Sequence, residues 1–116
     1  MHKLILPLPP SLNHAYITTK TGKRIMTNTM RQYKESVSWM VKSVVQKPYP
    51  KLNKISYVFY HKDNRVRDID NLLKGIRDCL KGTLVVDDCW QRIHEENIKS
   101  AGIDRKNPRV EICWEI

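Results

Sequence analysis

The sequence predicts an α+β fold in which a small mixed β-sheet packs with two main helices. Three observations carry this expectation. Two segments, 27 to 46 and 69 to 81, place apolar residues at helical spacing. Two others, 55 to 60 and 109 to 116, are rich in β-branched and aromatic residues at strand spacing. The strands flank the helices in a chain of 116 residues, long enough for one core and too short for two, so a single domain over 1–116 is expected.

Leu4-Ile5-Leu6 reads as a short strand ended by Pro7, Pro9 and Pro10, which lack ladder donors and fix φ. A loop through Ser11 and Asn13 follows, then a hairpin from Tyr16 to Met26 that turns at Lys20-Thr21-Gly22-Lys23, with Gly22 supplying positive φ. The first helix is expected from Thr27 to about Gln46, capped by Thr27 or Asn28 and stopped by Pro48. Met30, Tyr33, Val37, Met40, Val41 and Val44 form its apolar stripe, read as core.

Ile55 to Tyr60 reads as a strand at least half buried on both faces, followed by a turn at Asp63-Asn64. The second helix, from Ile69 to Lys81, turns Ile69, Leu72, Leu73, Ile76 and Leu80 inward and ends at Gly82. Two more strands are expected, Gln91 to Lys99 and Arg109 to Ile116, joined by a basic loop from Gly102 to Pro108. Trp39, Trp90 and Trp114 are each able to stack on a nucleotide; Trp39 and Trp114 fall within periodic elements and read as packing residues, whereas Trp90, beside an acidic pair, is left open.

The 21 Lys and Arg outnumber the 12 Asp and Glu, and the resulting net charge of +9 favours a polyanionic partner. Cys79, Cys89 and Cys113 are odd in number and lack CxxC spacing, which argues against a disulfide framework or a Cys-rich zinc site. No run approaches the about 18 to 20 apolar residues that span a bilayer, and no signal peptide is expected, so the protein is read as cytoplasmic with no membrane partner. His2, His61 and His94 read as structural or solvent-facing. His14 differs, because with Asn13 and Tyr16 in the Pro-rich loop it suits contact with a phosphate or base.

Against this basic background, Arg67-Asp68-Ile69-Asp70-Asn71-Leu72-Leu73-Lys74 and Asp87-Asp88 concentrate acid. If 67 to 70 enter the helix in extended form, Asp68 and Asp70 project to one side and can face one divalent ion. Lys74, four residues after Asp70, then shares its face. One helix and a return turn would bring Asp87 or Asp88 back near the helix start, although adjacent residues in an extended segment do not both face one point. The chemistry this allows is phosphodiester hydrolysis with bound Mg²⁺, or Mn²⁺, and Lys74 stabilising developing charge. Helix capping by Asp68 or Asp70, an ion pair at Lys74 and a solvated Asp87-Asp88 turn account for each piece separately.

These residues resemble the RusA family of Holliday junction resolvases over nearly the whole chain. Leu8-Pro9-Pro10-Ser11-Leu12-Asn13-His14-Ala15-Tyr16 is similar to the family's early PPS-x-N loop, and residues 67 to 74 to its R-D-x-D-N-L-x-K; the likeness resumes from Gly82 to Asp88 with Gln91. The resemblance implies a homodimeric, Mg²⁺-dependent endodeoxyribonuclease that resolves four-way DNA junctions by paired nicks. By matching position it implies Asp68, Asp70 and Asp88 as catalytic metal-binding carboxylates, Asp87 in support, Lys74 as a catalytic or phosphate-contacting cation, and Arg67 as a DNA contact. Leu84-Val85-Val86 departs from some relatives in lacking an aromatic residue. The alternatives are a non-catalytic basic DNA- or RNA-binding module that retains the fold, and a structural or regulatory phage protein that retains the fold for protein contacts, with weak binding that depends little on salt.

Overall fold

The computed structural model describes residues 2–10 and 15–116. Its elements run β1 (His2–Leu6), β2 (Tyr16–Thr18), β3 (Arg24–Met26), α1 (Asn28–Lys42), β4 (Lys54–His61), α2 (Ile69–Leu80), β5 (Glu96–Ile103) and β6 (Arg109–Glu115). Four strands form a mixed sheet in the order β1-β6-β4-β5, in which only β4 and β5 are parallel, and β2 with β3 forms a separate hairpin. This is the α+β arrangement expected from the two periodicities.

Strand alternation builds one wall of the core. Ile55, Tyr57 and Phe59 of β4 stand opposite Trp114, Ile112 and Val110 of β6, and all six are buried. Helix α1 covers them with Met30, Tyr33, Val37 and Val41, and α2 with Leu72, Leu73, Ile76 and Leu80. The sheet's other face keeps charge: Arg109 bonds Glu111 and Asp104, lies 3.8 Å over the Tyr60 ring, and Glu111 also holds Lys3.

The helix caps follow from side-chain chemistry. Thr27 Oγ1 accepts from the Met30 amide and donates to the Ala15 carbonyl, so the start of α1 is tied to the start of the hairpin. Asp68 caps α2 by accepting from the Asp70 amide. Gly82 ends that helix at a φ of +82°, a backbone region that a side chain disfavours.

Three expectations need correction. The stripe of α1 is narrower than Met30 to Val44: Met40 is 39% exposed and Val44, beyond the helix, 56%, while Val45 turns in instead. Ile69 at the start of α2 is also open to solvent. The strand expected at 91–99 lies at Glu96–Ile103, because residues 91–95 turn beside Leu52, with an isolated bridge from Ile93 to Leu52, before the ladder with β4 begins.

The proline segment is clamped between the helices. Tyr33 Oη donates to the Pro7 carbonyl at 2.7 Å, and Pro9 packs so tightly on Gly75 that a Cβ there would sit 2.9 Å from the Pro9 Cβ. Gly75→Ala is therefore expected to destabilise the protein by about 1 to 2 kcal/mol despite Ala's helix propensity, because neither the ring nor the helix can yield cheaply. A fall in the urea midpoint checks this; a rise would mean that propensity outweighs the clash.

Charge pairs set the acid limit. Arg67 holds the Asp63 carboxyl well below its ordinary value, and Arg109 lowers Asp104 and Glu111. Groups depressed in the folded state favour folding when ionised. Their contribution is complete above the ordinary values of 3.8 and 4.5 and is lost as pH falls through the lower folded values. Urea midpoints are thus expected to stay level down to about pH 5 and fall below it. A midpoint that rose on acidification would contradict this.

Candidate active site

β4, α2 and β5 form a parallel strand-helix-strand unit, so α2 starts just beyond the C-terminal end of β4. That end of parallel strands is where open sheets with helical crossovers commonly bind ligands. Asp68 and Asp70 lie there, both exposed, at the positive end of the helix dipole. Because Asp68 accepts the Asp70 amide through one oxygen at 2.9 Å, its other oxygen is left for a second partner. Lys74 lies exposed one turn further along.

Asp87 and Asp88 approach a different part of the helix. Leu84 and Val85 turn back on Leu80 through their amides, and Asp87 pairs with Lys81 at 3.4 Å. Asp88 exerts its charge on Arg77. The contacts of the pair thus fall on the C-terminal half of α2, not at its start. Among the described residues, no group of three or more His, Cys, Asp or Glu side chains lies close enough to share a metal ion.

The acidic side chains divide by what holds them. Asp63, Asp87, Glu95, Glu96, Asp104 and Glu111 each engage a cationic side chain, and Asp78 accepts from Tyr16 Oη at 2.9 Å. Asp68, Asp70 and Asp88 form no ion pair among the described residues, although the Asp88 charge acts on Arg77, and neither do Glu35 and Glu115. Of these five carboxylates, three fall in the two acidic motifs. Lys74 likewise makes no ion pair among the described residues, so the pairing with Asp70 and Asp78 allowed by spacing does not form.

The Asp87 carboxyl is drawn below its usual range by the Asp88 backbone N–H and by Lys81. This separates the adjacent acids: Asp87 is paired with Lys81, whereas Asp88 forms no ion pair among the described residues. Arg67 is committed too, gripping Asp63 with two bonds of 2.5 and 3.0 Å. Asn13 and His14 lie outside the described residues. Their flanks are fixed to α2, with Pro9 on Gly75 and Tyr16 on Asp78, and burial with the Asp78 bond pushes the Tyr16 hydroxyl up to about 12.

The family model for endodeoxyribonuclease RusA matches residues 7–114. The chain belongs to the RusA family. A crossover junction endodeoxyribonuclease RusA of Enterobacteria phage HK97 is 29% identical over 80 residues, covering 68% of this chain and 66% of the phage protein. The match thus spans just under two thirds of that relative's length. The RusA match contains both acidic motifs, Lys74 and the clamped prolines.

Two features of this RusA-family chain escaped the sequence reading. Glu96 receives two bonds from Arg77 and one from the Tyr57 hydroxyl at 3.2 Å, which ties α2 to β4 and β5. Nothing local signals a contact between residues nineteen apart. Trp39, read as packing, is 72% exposed. Helical geometry does carry that signal: nine residues at about 100° each put Trp39 opposite Met30, the centre of the buried stripe.

Proposed function

We propose that this chain is a metal-dependent, structure-selective endodeoxyribonuclease that resolves four-way (Holliday) DNA junctions, one phosphodiester on each of two strands, as a homodimer in which residues 1–116 form a single nuclease domain. The observation that carries this reading is the set of charges without an ion pair among the described residues, Asp68, Asp70, Asp88 and Lys74, in a RusA-family chain whose remaining motif acid, Asp87, is paired with Lys81.

The donor set fits Mg²⁺, or Mn²⁺ in its place. Hard carboxylate oxygens suit either ion, and Mg²⁺ is commonly held by one or two carboxylates with water and substrate phosphates completing its shell. Asp68, through the oxygen not used in capping, and Asp70 would hold the ion; Asp88, whose contacts fall by the C-terminal half of α2, would act from the substrate side and not as a third carboxylate on the same ion. When bound, the ion supplies Lewis acidity that polarises the scissile phosphate and eases deprotonation of the attacking water.

The chain's residues supply the rest. The capping bond fixes Asp68 relative to Asp70, so their spacing is preset before substrate arrives. Lys74, with no carboxylate to compete for it among the described residues, binds a phosphate oxygen and stabilises charge that grows there. Lys81 braces Asp87, which leaves Asp88 to face the substrate. Asp63 orients the Arg67 guanidinium toward the DNA backbone, and Asn13 and His14 contact DNA from the proline loop. Two identical sites related by a two-fold axis match a junction whose strands are cut in pairs.

The test is cleavage of a synthetic four-way junction beside linear duplex of the same sequence, with Mg²⁺ or EDTA. Paired, metal-dependent nicks confined to the junction support the reading. Junction binding without cuts under any divalent ion would favour a non-catalytic binding module.

A further inference from the structure

The surface of α1 that faces away from the core carries a groove that the acidic site does not use. A hollow of about 430 Å³ lies between α1 and the C-terminal end of α2, walled by Arg31, Lys34, Trp39 and Lys42 and floored by Met26 and Cys79. An adjoining hollow of about 400 Å³ is also lined by Trp39, together with Gln32, Glu35 and Ser36. The indole therefore stands between two open spaces, 72% exposed, on a helix whose opposite side is core.

The surrounding charges say what such an indole meets. Lys34, Ser38 and Lys42 form one i,i+4 row beside the row Arg31, Glu35 and Trp39. Glu35 opposes the Arg31 charge within its own row. Lys34 and Lys42 remain, about 12 Å apart along the axis, and both line the same hollow as the indole. Neither pairs with a carboxylate among the described residues. The floor stays uncharged, because burial pushes the Cys79 thiol up to about 12. An aromatic plate flanked by cations over an apolar floor is the arrangement by which proteins hold unpaired bases and the phosphates beside them. A duplex offers no free base face to stack, and the net charge of +9 favours a polyanion over an acidic side chain in isolation.

We propose that this groove is a single-stranded DNA site, in which an unpaired base stacks on Trp39 while neighbouring phosphates rest on Lys34 and Lys42. It adds to the nuclease reading a place for a strand opened beside the cut, since Thr83 on the groove's rim lies in the same turn that leads to Asp87 and Asp88. Only the origin of the strand rests on that reading.

The test is fluorescence anisotropy with a labelled oligo-dT of about twelve nucleotides and with a duplex of equal length, at one fixed salt concentration. Trp39→Ala is expected to weaken oligo-dT binding about tenfold, Trp39→Phe to restore most of it, and both to leave duplex affinity and the thermal melt unchanged. Equal affinity of Trp39→Ala and wild type for oligo-dT overturns the proposal, as does an equal loss on duplex. Junction cleavage by the wild type, scored separately, judges the nuclease reading whatever the groove does.

Discussion

Asp70→Asn is expected to abolish junction cleavage, by on the order of 10³-fold or more, while junction binding holds or tightens. The amide keeps the shape of the side chain but is a poor ligand for a hard cation, and one negative charge leaves a surface that must meet phosphates. Asp70 engages no side chain among the described residues, so its loss breaks no folded contact. Only the favourable interaction of a carboxylate with the helix start is removed, worth about 0.3 to 1 kcal/mol. Asp78→Asn supplies the control: it lies on the same helix, but its partner is Tyr16 Oη. Single-turnover cleavage of the junction should collapse in the first variant and persist in the second. Full activity in Asp70→Asn would remove that residue from the site.

Glu96→Ala is expected to lower stability by about 2 to 4 kcal/mol, the larger of the two structural losses proposed for this chain. The substitution leaves Arg77 without its carboxylate and strands the hydroxyl of Tyr57, a residue only 1% exposed. Tyr57→Phe in the Glu96→Ala background should return part of the loss, because the orphaned hydroxyl is then gone. Urea unfolding of the two single variants and the double closes this cycle. If the double variant is less stable than Glu96→Ala by the full cost of Tyr57→Phe alone, the hydroxyl and the carboxylate are not coupled.

What could be read from residues alone followed how local its cause was. The alternation from Ile55 to Phe59, the stripe from Met30 to Val41, the Gly22 turn and the Gly82 stop are each written within a few residues, and each appears in the fold. Strand β5 is not written that way. Ser100, Ala101 and Gly102 have little strand preference; Ser100 pairs with Phe59, and Ala101 and Gly102 span a register shift before Ile103 pairs with His61, an arrangement that only the packed crossover provides. The acidic motifs were legible as composition, yet their division into committed and available carboxylates required partners distant in sequence, such as Tyr16 for Asp78. Trp39 shows the reverse case, where the angle around the helix held the information and membership in a periodic element hid it.

Strand β5 also bears on how the molecule opens. Its outer edge has no neighbour in the sheet, and all but Glu96 of its residues are exposed. Little apolar surface therefore resists its detachment, and it is held by its ladder to β4 and, at its first residue, by Glu96 through Arg77 and Tyr57. Amide protons of β5 should exchange with solvent deuterium well before those of β4 and β6, whose shared ladder is bounded by core on one side. A protease should find its first accessible bond near Gly102 while the remaining strands and both helices are still intact. The edge strand thus behaves as a separate unit of low local stability, able to peel and reseat without the global unfolding that the buried wall of the sheet demands.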